Sequence, residues 1–153
     1  MVTQTPKNKM SSSDQVSQFY MLSARQLVIV IALGVFFWFV FALFIRFTGP
    51  LGIFGGVIGI VPLLANIPVA WLLTVIIKRM AGLVGGQIFA GMALSTAVAV
   101  ICDGAALTWF PSLYGTDTST VLLGAACILF GGGVITIVAY IMAAREINKV
   151  KSA

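Results

Sequence analysis

Four apolar runs, Leu27 to Phe47, Ile53 to Ile77, Leu83 to Phe110 and Thr120 to Ala144, occupy most of this 153-residue chain. Each meets the length of about 20 residues that a helix needs to cross the hydrocarbon core of a bilayer. Membrane-spanning strands would be about half as long and would alternate polar with apolar residues. None of the four runs does. Composition agrees: 60% of the residues are hydrophobic and only 8% are charged, about a third of the charge a soluble domain carries. The sequence therefore predicts an all-α integral membrane protein, an antiparallel four-helix bundle.

The predicted organisation is a polar tail over 1–23, a transmembrane domain over 24–144 with helices at about 26–47, 52–77, 83–110 and 120–144, and a basic tail over 145–153. In the first tail, Ser12 or Ser13 with Gln15 forms a weak capping box, and Val16, Phe19 and Tyr20 share a helical face. Two readings follow, a short helix lying on the membrane surface or a frayed start to the first span. The first run is longer than the apolar region of a cleaved signal peptide and ends on Arg46 without a cleavage site, so it is read as a retained helix.

Charge placement sets the expected orientation. Lys7, Lys9 and Arg25 precede the first helix, Lys78 and Arg79 lie between the second and third, and Arg145, Lys149 and Lys151 follow the fourth. If the helices alternate, eight of the nine basic residues fall on one face, and the positive-inside rule places both termini in the cytoplasm. The expected location is the cell (inner) membrane, with several passes. The net charge of +5 thus reads as a topology signal rather than as a nucleic-acid footprint. Short connections predict that helices 1 and 2, and 2 and 3, are neighbours. Expected partners are the lipid bilayer and, through the faces four helices leave open, a second copy or another membrane protein.

Two charges interrupt the apolar runs, Asp103 in the third and Arg46 at the end of the first. A carboxylate inside a membrane segment is expensive and marks a functional-site hypothesis. Asp103 precedes Phe110 by seven residues, which puts it about 10 Å inside that boundary, too deep to reach water by itself. Arg46 is the nearest cation by depth. An Arg46–Asp103 ion pair tying the first helix to the third is the expectation, and a protonatable carboxyl used in coupling or substrate binding is the alternative.

The second run adds Asn66 between Pro62 and Pro68, near mid-membrane. Each proline removes an intrahelical hydrogen bond, so a bend is expected, and Asn66 is read first as a bond to a neighbouring helix. Gly55 and Gly59 form a GxxxG pair suited to close helix approach. Ser95 and Thr96 can satisfy their hydroxyls on i−4 carbonyls. Trp109, Phe110 and Tyr114 are placed at headgroup depth. The aromatic stripe Phe36 to Phe44 spreads around its helix and defines no site.

Nothing here predicts a cofactor or a metal. The chain has no His, Cys102 and Cys127 form no metal or redox motif, and the glycine triplet Gly131–Gly133 lacks the residues of a phosphate loop. No convincing nucleophile or acid–base pair points to an enzyme. The expected function is a non-enzymatic binding, scaffold or accessory membrane protein. The alternative is a small-molecule or ion transporter using Asp103 and a kinked second helix. A wet pocket shared by Asp103 and Asn66 would favour transport, and their separation by a dry, small-residue interface would count against it.

The segment DGAALTWFPSLY, Asp103 to Tyr114, together with the Arg46-x-x-Gly49 turn, resembles a family of small bacterial four-helix membrane proteins of unknown function. The resemblance implies that Arg46, Asp103, Phe110, Pro111 and Tyr114 are family positions. It implies the fold and no activity. The small multidrug transporters, which also have four helices, carry an acidic residue in helix 1 that is absent here.

Overall fold

A computed structural model describes residues 21–152. It is an all-α bundle of four long helices: α1 (Ala24–Thr48), α2 (Ile60–Ala81), α3 (Gly86–Trp109) and α4 (Thr118–Lys151). All four are long and apolar enough to cross a membrane. Their outer surfaces are lined by exposed Val, Ile, Leu and Phe side chains, Val61, Leu64, Ile101, Leu122 and Leu129 among them. Such a surface gains nothing from water and suits lipid. The interfacial helix expected around Ser12 to Tyr20 lies outside the described residues.

The helix ends follow local chemistry. Ser23 caps α1: its hydroxyl accepts from the Gln26 amide while the Gln26 side chain accepts from the Ser23 amide. This is a complete capping box. At its other end α1 tightens into a 3-10 turn, Gly49–Leu51. Phe110, ahead of Pro111, leaves the helical region with φ −135° and ψ 51°, so α3 stops at Trp109. A second 3-10 turn, Pro111–Leu113, follows. Asp117 then caps α4, its carboxylate accepting from the Thr120 amide at 2.9 Å.

Several predicted boundaries move. The second helix starts at Ile60 rather than near 52, because residues 52–59 are a chain of turns in which Gly52 and Gly56 take φ of 70° and 58°. Gly55 and Gly59 therefore do not form a helix-packing pair. A Cβ on Gly59 would stand 2.7 Å from the Phe54 carbonyl oxygen, so this glycine serves a tight turn. Pro62 consequently sits in the first turn of α2, where no amide hydrogen bond is lost, and only Pro68 lies inside the helix. The basic segment after Ala144 is not a separate tail, since α4 continues to Lys151. Its 34 residues span about 51 Å, roughly 20 Å more than the hydrocarbon core.

Contacts between helices differ from those the connections suggest. α1 packs chiefly on α3, α3 on α4 and α4 on α2, whereas α1 meets α2 only sparsely, as does α2 with α3. The short α2–α3 link thus joins helices that are not close neighbours. At one end, Gln26 donates to the Gly82 carbonyl and to Gln87, Gln87 donates to the Met21 carbonyl, and Lys78 pairs with Glu146. Two apolar clusters hold the bundle. One gathers Val30, Ile77, Leu83, Ile88, Met92 and Ala139, and the other gathers Ala42, Ile45, Phe54, Ala106 and Tyr114.

Candidate functional site

Between the two clusters the helices line a half-open cavity of about 310 Å³. All four helices contribute to its wall. α1 supplies Phe37, Trp38, Phe41 and Phe44; α2 supplies Pro62, Asn66 and Val69; α3 supplies Ser95, Thr96, Ala99 and Asp103; α4 supplies Cys127, Gly131 and Gly132. Phe54 closes it from the glycine-rich connection. The wall is mostly hydrocarbon, and among the described residues Asp103 is its single charged side chain.

Asp103 is buried, 8% exposed, and accepts a hydrogen bond at Oδ1 from the Tyr114 hydroxyl. The same hydroxyl accepts from Trp38 Nε1 at 3.1 Å. A relay of two donors therefore runs from α1 through Tyr114 to the α3 carboxylate. The turn Pro111–Leu113 makes it possible: it folds the chain back so that Tyr114 enters the bundle with no exposed surface. Tyr114 thus faces the bundle interior rather than its surface, whereas Trp109 and Phe110 are 71% and 66% exposed. Burial first, and then the Asp103 carboxylate, push the Tyr114 phenol above its ordinary range.

The expected Arg46–Asp103 ion pair does not form. Arg46, in the last turn of α1, donates Nη1 to the Ser112 carbonyl, and the ion pair among the described residues is Lys78–Glu146. The physical reason is depth. Arg46 finds an acceptor in the turn beside it, where its charge also complements the helix C-terminus, while Tyr114 has already reached the carboxylate. Arg46 does not line the cavity.

Asn66 donates Nδ2 to the Pro62 carbonyl at 2.8 Å and lies 3.5 Å from Cys127 Sγ on α4. Gly131 lets it approach: a Cβ there would stand 2.5 Å from Asn66 Oδ1. Both cysteines are free, and Cys127 faces the cavity. Thr74, Thr108 and Thr136 fold their hydroxyls onto i−4 carbonyls, but Ser95 and Thr96 do not make that bond among the described residues. Ser95 instead meets Gly34, where a Cβ would lie 3.0 Å from its Oγ. Among the described residues no three His, Cys, Asp or Glu side chains gather in a metal-binding cluster.

The structure therefore brings Asp103 and Asn66 to one cavity and leaves Arg46 outside it. Sequence reasoning missed Trp38 as part of the relay and set aside the aromatic stripe, although Phe37, Trp38, Phe41 and Phe44 line the cavity while Phe36 and Phe39 are exposed. Helical spacing within the stripe carried that signal, since 37, 41 and 44 share a face. Comparisons with protein-family models, curated proteins and solved structures found no match.

Proposed function

We propose that this chain is a non-enzymatic, multi-pass protein of the cell membrane that holds a small lipophilic molecule inside its bundle. In this reading the four helices run antiparallel and both termini are cytoplasmic. The observation that carries it is the shared cavity. Asp103 and Asn66, from helices that barely touch, line one space together with Ser95 and Thr96. Small-molecule sites have this character, a mostly apolar wall with a few polar groups that fix orientation. The resemblance to small bacterial four-helix membrane proteins rests on Arg46 and the Asp103–Tyr114 segment and adds no activity.

Cys127 is a built-in reporter. In a Cys102→Ala background, a small membrane-permeant thiol reagent is expected to label Cys127 in intact membranes. Ala99→Phe, which fills the cavity, should slow labelling at least tenfold. A Cys127 that reacts equally fast in both proteins would sink the reading.

Transport is the second reading, favoured by one observation. The α1–α2 side of the ring is weakly packed, and α2 carries Pro68 and hangs from the non-helical residues 52–59. An opening on that side would let an occupant leave. Reconstitution into liposomes distinguishes transport from holding, because only transport gives Asp103-dependent flux.

A further inference from the structure

Resting on the ligand-holding reading, we infer that the cavity takes a small lipophilic cation, an aromatic amine or quaternary ammonium, with its charge set against Asp103.

The charge arrangement leads there. Among the described residues, Asp103 is the single charged side chain on the wall, and no Lys or Arg joins it. Its partners are neutral donors: the Tyr114 hydroxyl reaches Oδ1, and Trp38 Nε1 supports that hydroxyl from 3.1 Å. Two donors in series hold the carboxyl in place and bring it no counter-charge. Arg46, the cation that could have done so, is committed to the Ser112 carbonyl. A buried carboxylate without a counter-charge is costly in a membrane. A cation in the cavity removes that cost, an anion worsens it, and a neutral hydrocarbon leaves it unchanged.

The wall makes the same selection. Phe37, Trp38, Phe41, Phe44 and Phe54 surround the space into which Asp103 faces. The negative faces of aromatic rings attract cations, and aromatic enclosures are a recurring way to bind quaternary ammonium groups. Phe44 and Phe54 meet edge to face, with centroids 6.3 Å apart and an interplanar angle of 90°. The cavity of about 310 Å³ is at the small end of ligand sites and suits one aromatic ring with a compact cationic head. A metal cation fits poorly, since hard ions want six or more oxygen ligands and this wall is mostly carbon.

An isosteric pair of probes tests the charge alone. Benzyltrimethylammonium and neopentylbenzene have the same shape and differ by nitrogen for carbon and one positive charge. Each is assayed for protection of Cys127 from alkylation in the full chain carrying Cys102→Ala, reconstituted in lipid, with concentrations corrected for partitioning. The cation is expected to protect at a concentration at least tenfold below that of the neutral isostere. Asp103→Asn should abolish the preference while leaving protection by the neutral probe. Equal protection by the two probes in the Asp103 protein overturns the inference and keeps the ligand-holding reading; the carboxyl then carries its own proton. No protection by either probe overturns both. The comparison within the Asp103 protein decides even where Asp103→Asn fails to fold.

Discussion

Removing the Tyr114 hydroxyl would strip a donor from the Asp103 carboxylate and an acceptor from the Trp38 indole at once. Tyr114 has no exposed surface, so water does not readily replace the lost bonds. Tyr114→Phe is therefore expected to cost about 1–3 kcal/mol of stability in detergent unfolding, the range for a buried group left without its partner. Trp38→Phe and Tyr114→Phe act on one relay, so the double variant should lose less than the sum of the two, and strict additivity would argue against the relay. The raised Tyr114 ionisation adds a pH dependence. An unfolded tyrosine ionises near about pH 10 and the folded one later, so the folded state holds the extra proton. That contribution is intact below about pH 10 and is lost as pH climbs through the folded value. Unfolding measured from about pH 9 to 11.5 should show stability falling more steeply for the Tyr114 protein than for Tyr114→Phe. None of this relay was legible beforehand. Eleven residues separate Asp103 from Tyr114, and only the geometry of the Pro111 turn decides whether that tyrosine faces lipid headgroups or the bundle interior.

Helices pack here through small residues at a few points of close approach, as expected where lipid provides no hydrophobic drive between apolar surfaces. The tightest against backbone is between α1 and α3, where a Cβ on Gly34 would stand 2.8 Å from the Ser95 carbonyl oxygen. Backbone cannot rotate aside as a side chain can, so Gly34→Ala has to push the two helices apart. A loss of about 1–3 kcal/mol follows, comparable to overpacking a core. Gly133→Ala is the control within α4, since a Cβ there meets nothing within 4 Å. It should be neutral or stabilising by up to about 1 kcal/mol, from helix propensity alone. Equal effects of the two substitutions, measured by unfolding in the same detergent, would mean that α1 and α3 are not pressed together at Ser95. The existence of these helices was legible because twenty-residue apolar runs admit no other structure in lipid. The start of α2 was not, since Ile53 to Ile60 is as apolar as a helix. Its three glycines, Gly55, Gly56 and Gly59, with Gly52 just before it, outweighed hydropathy by permitting turns.

At the scale of the whole molecule, the order of the helices around the bundle was the least legible property. Link lengths bring α2 and α3 together in sequence, but packing places α4 between them, because side-chain size and cavity shape rather than connection length select neighbours. The cavity followed from that order, and so did the placing of Asp103 and Asn66 on one wall. Orientation in the membrane, by contrast, is carried by charge. Lys78, Arg79, Arg145 and Lys149 belong to the end of the bundle where Gln26, Gly82 and Gln87 are bonded together, whereas Arg46 belongs to the end with the Pro111 turn. Basic residues resist translocation across the membrane, so the first end should remain in the cytoplasm. The Lys78–Glu146 pair cancels one positive charge locally, but acidic residues contribute little to the rule, and Arg79, Arg145 and Lys149 keep the bias. Pro50, exposed beyond α1, and Lys149, exposed near the end of α4, report on opposite ends. In a background with Cys102 and Cys127 replaced, Pro50→Cys is expected to react with a membrane-impermeant maleimide added to intact cells. Lys149→Cys should react only after permeabilisation. The reverse pattern would invert the proposed orientation, and labelling of both sites from outside would contradict the odd number of crossings, α2, α3 and α4, that separates Pro50 from Lys149.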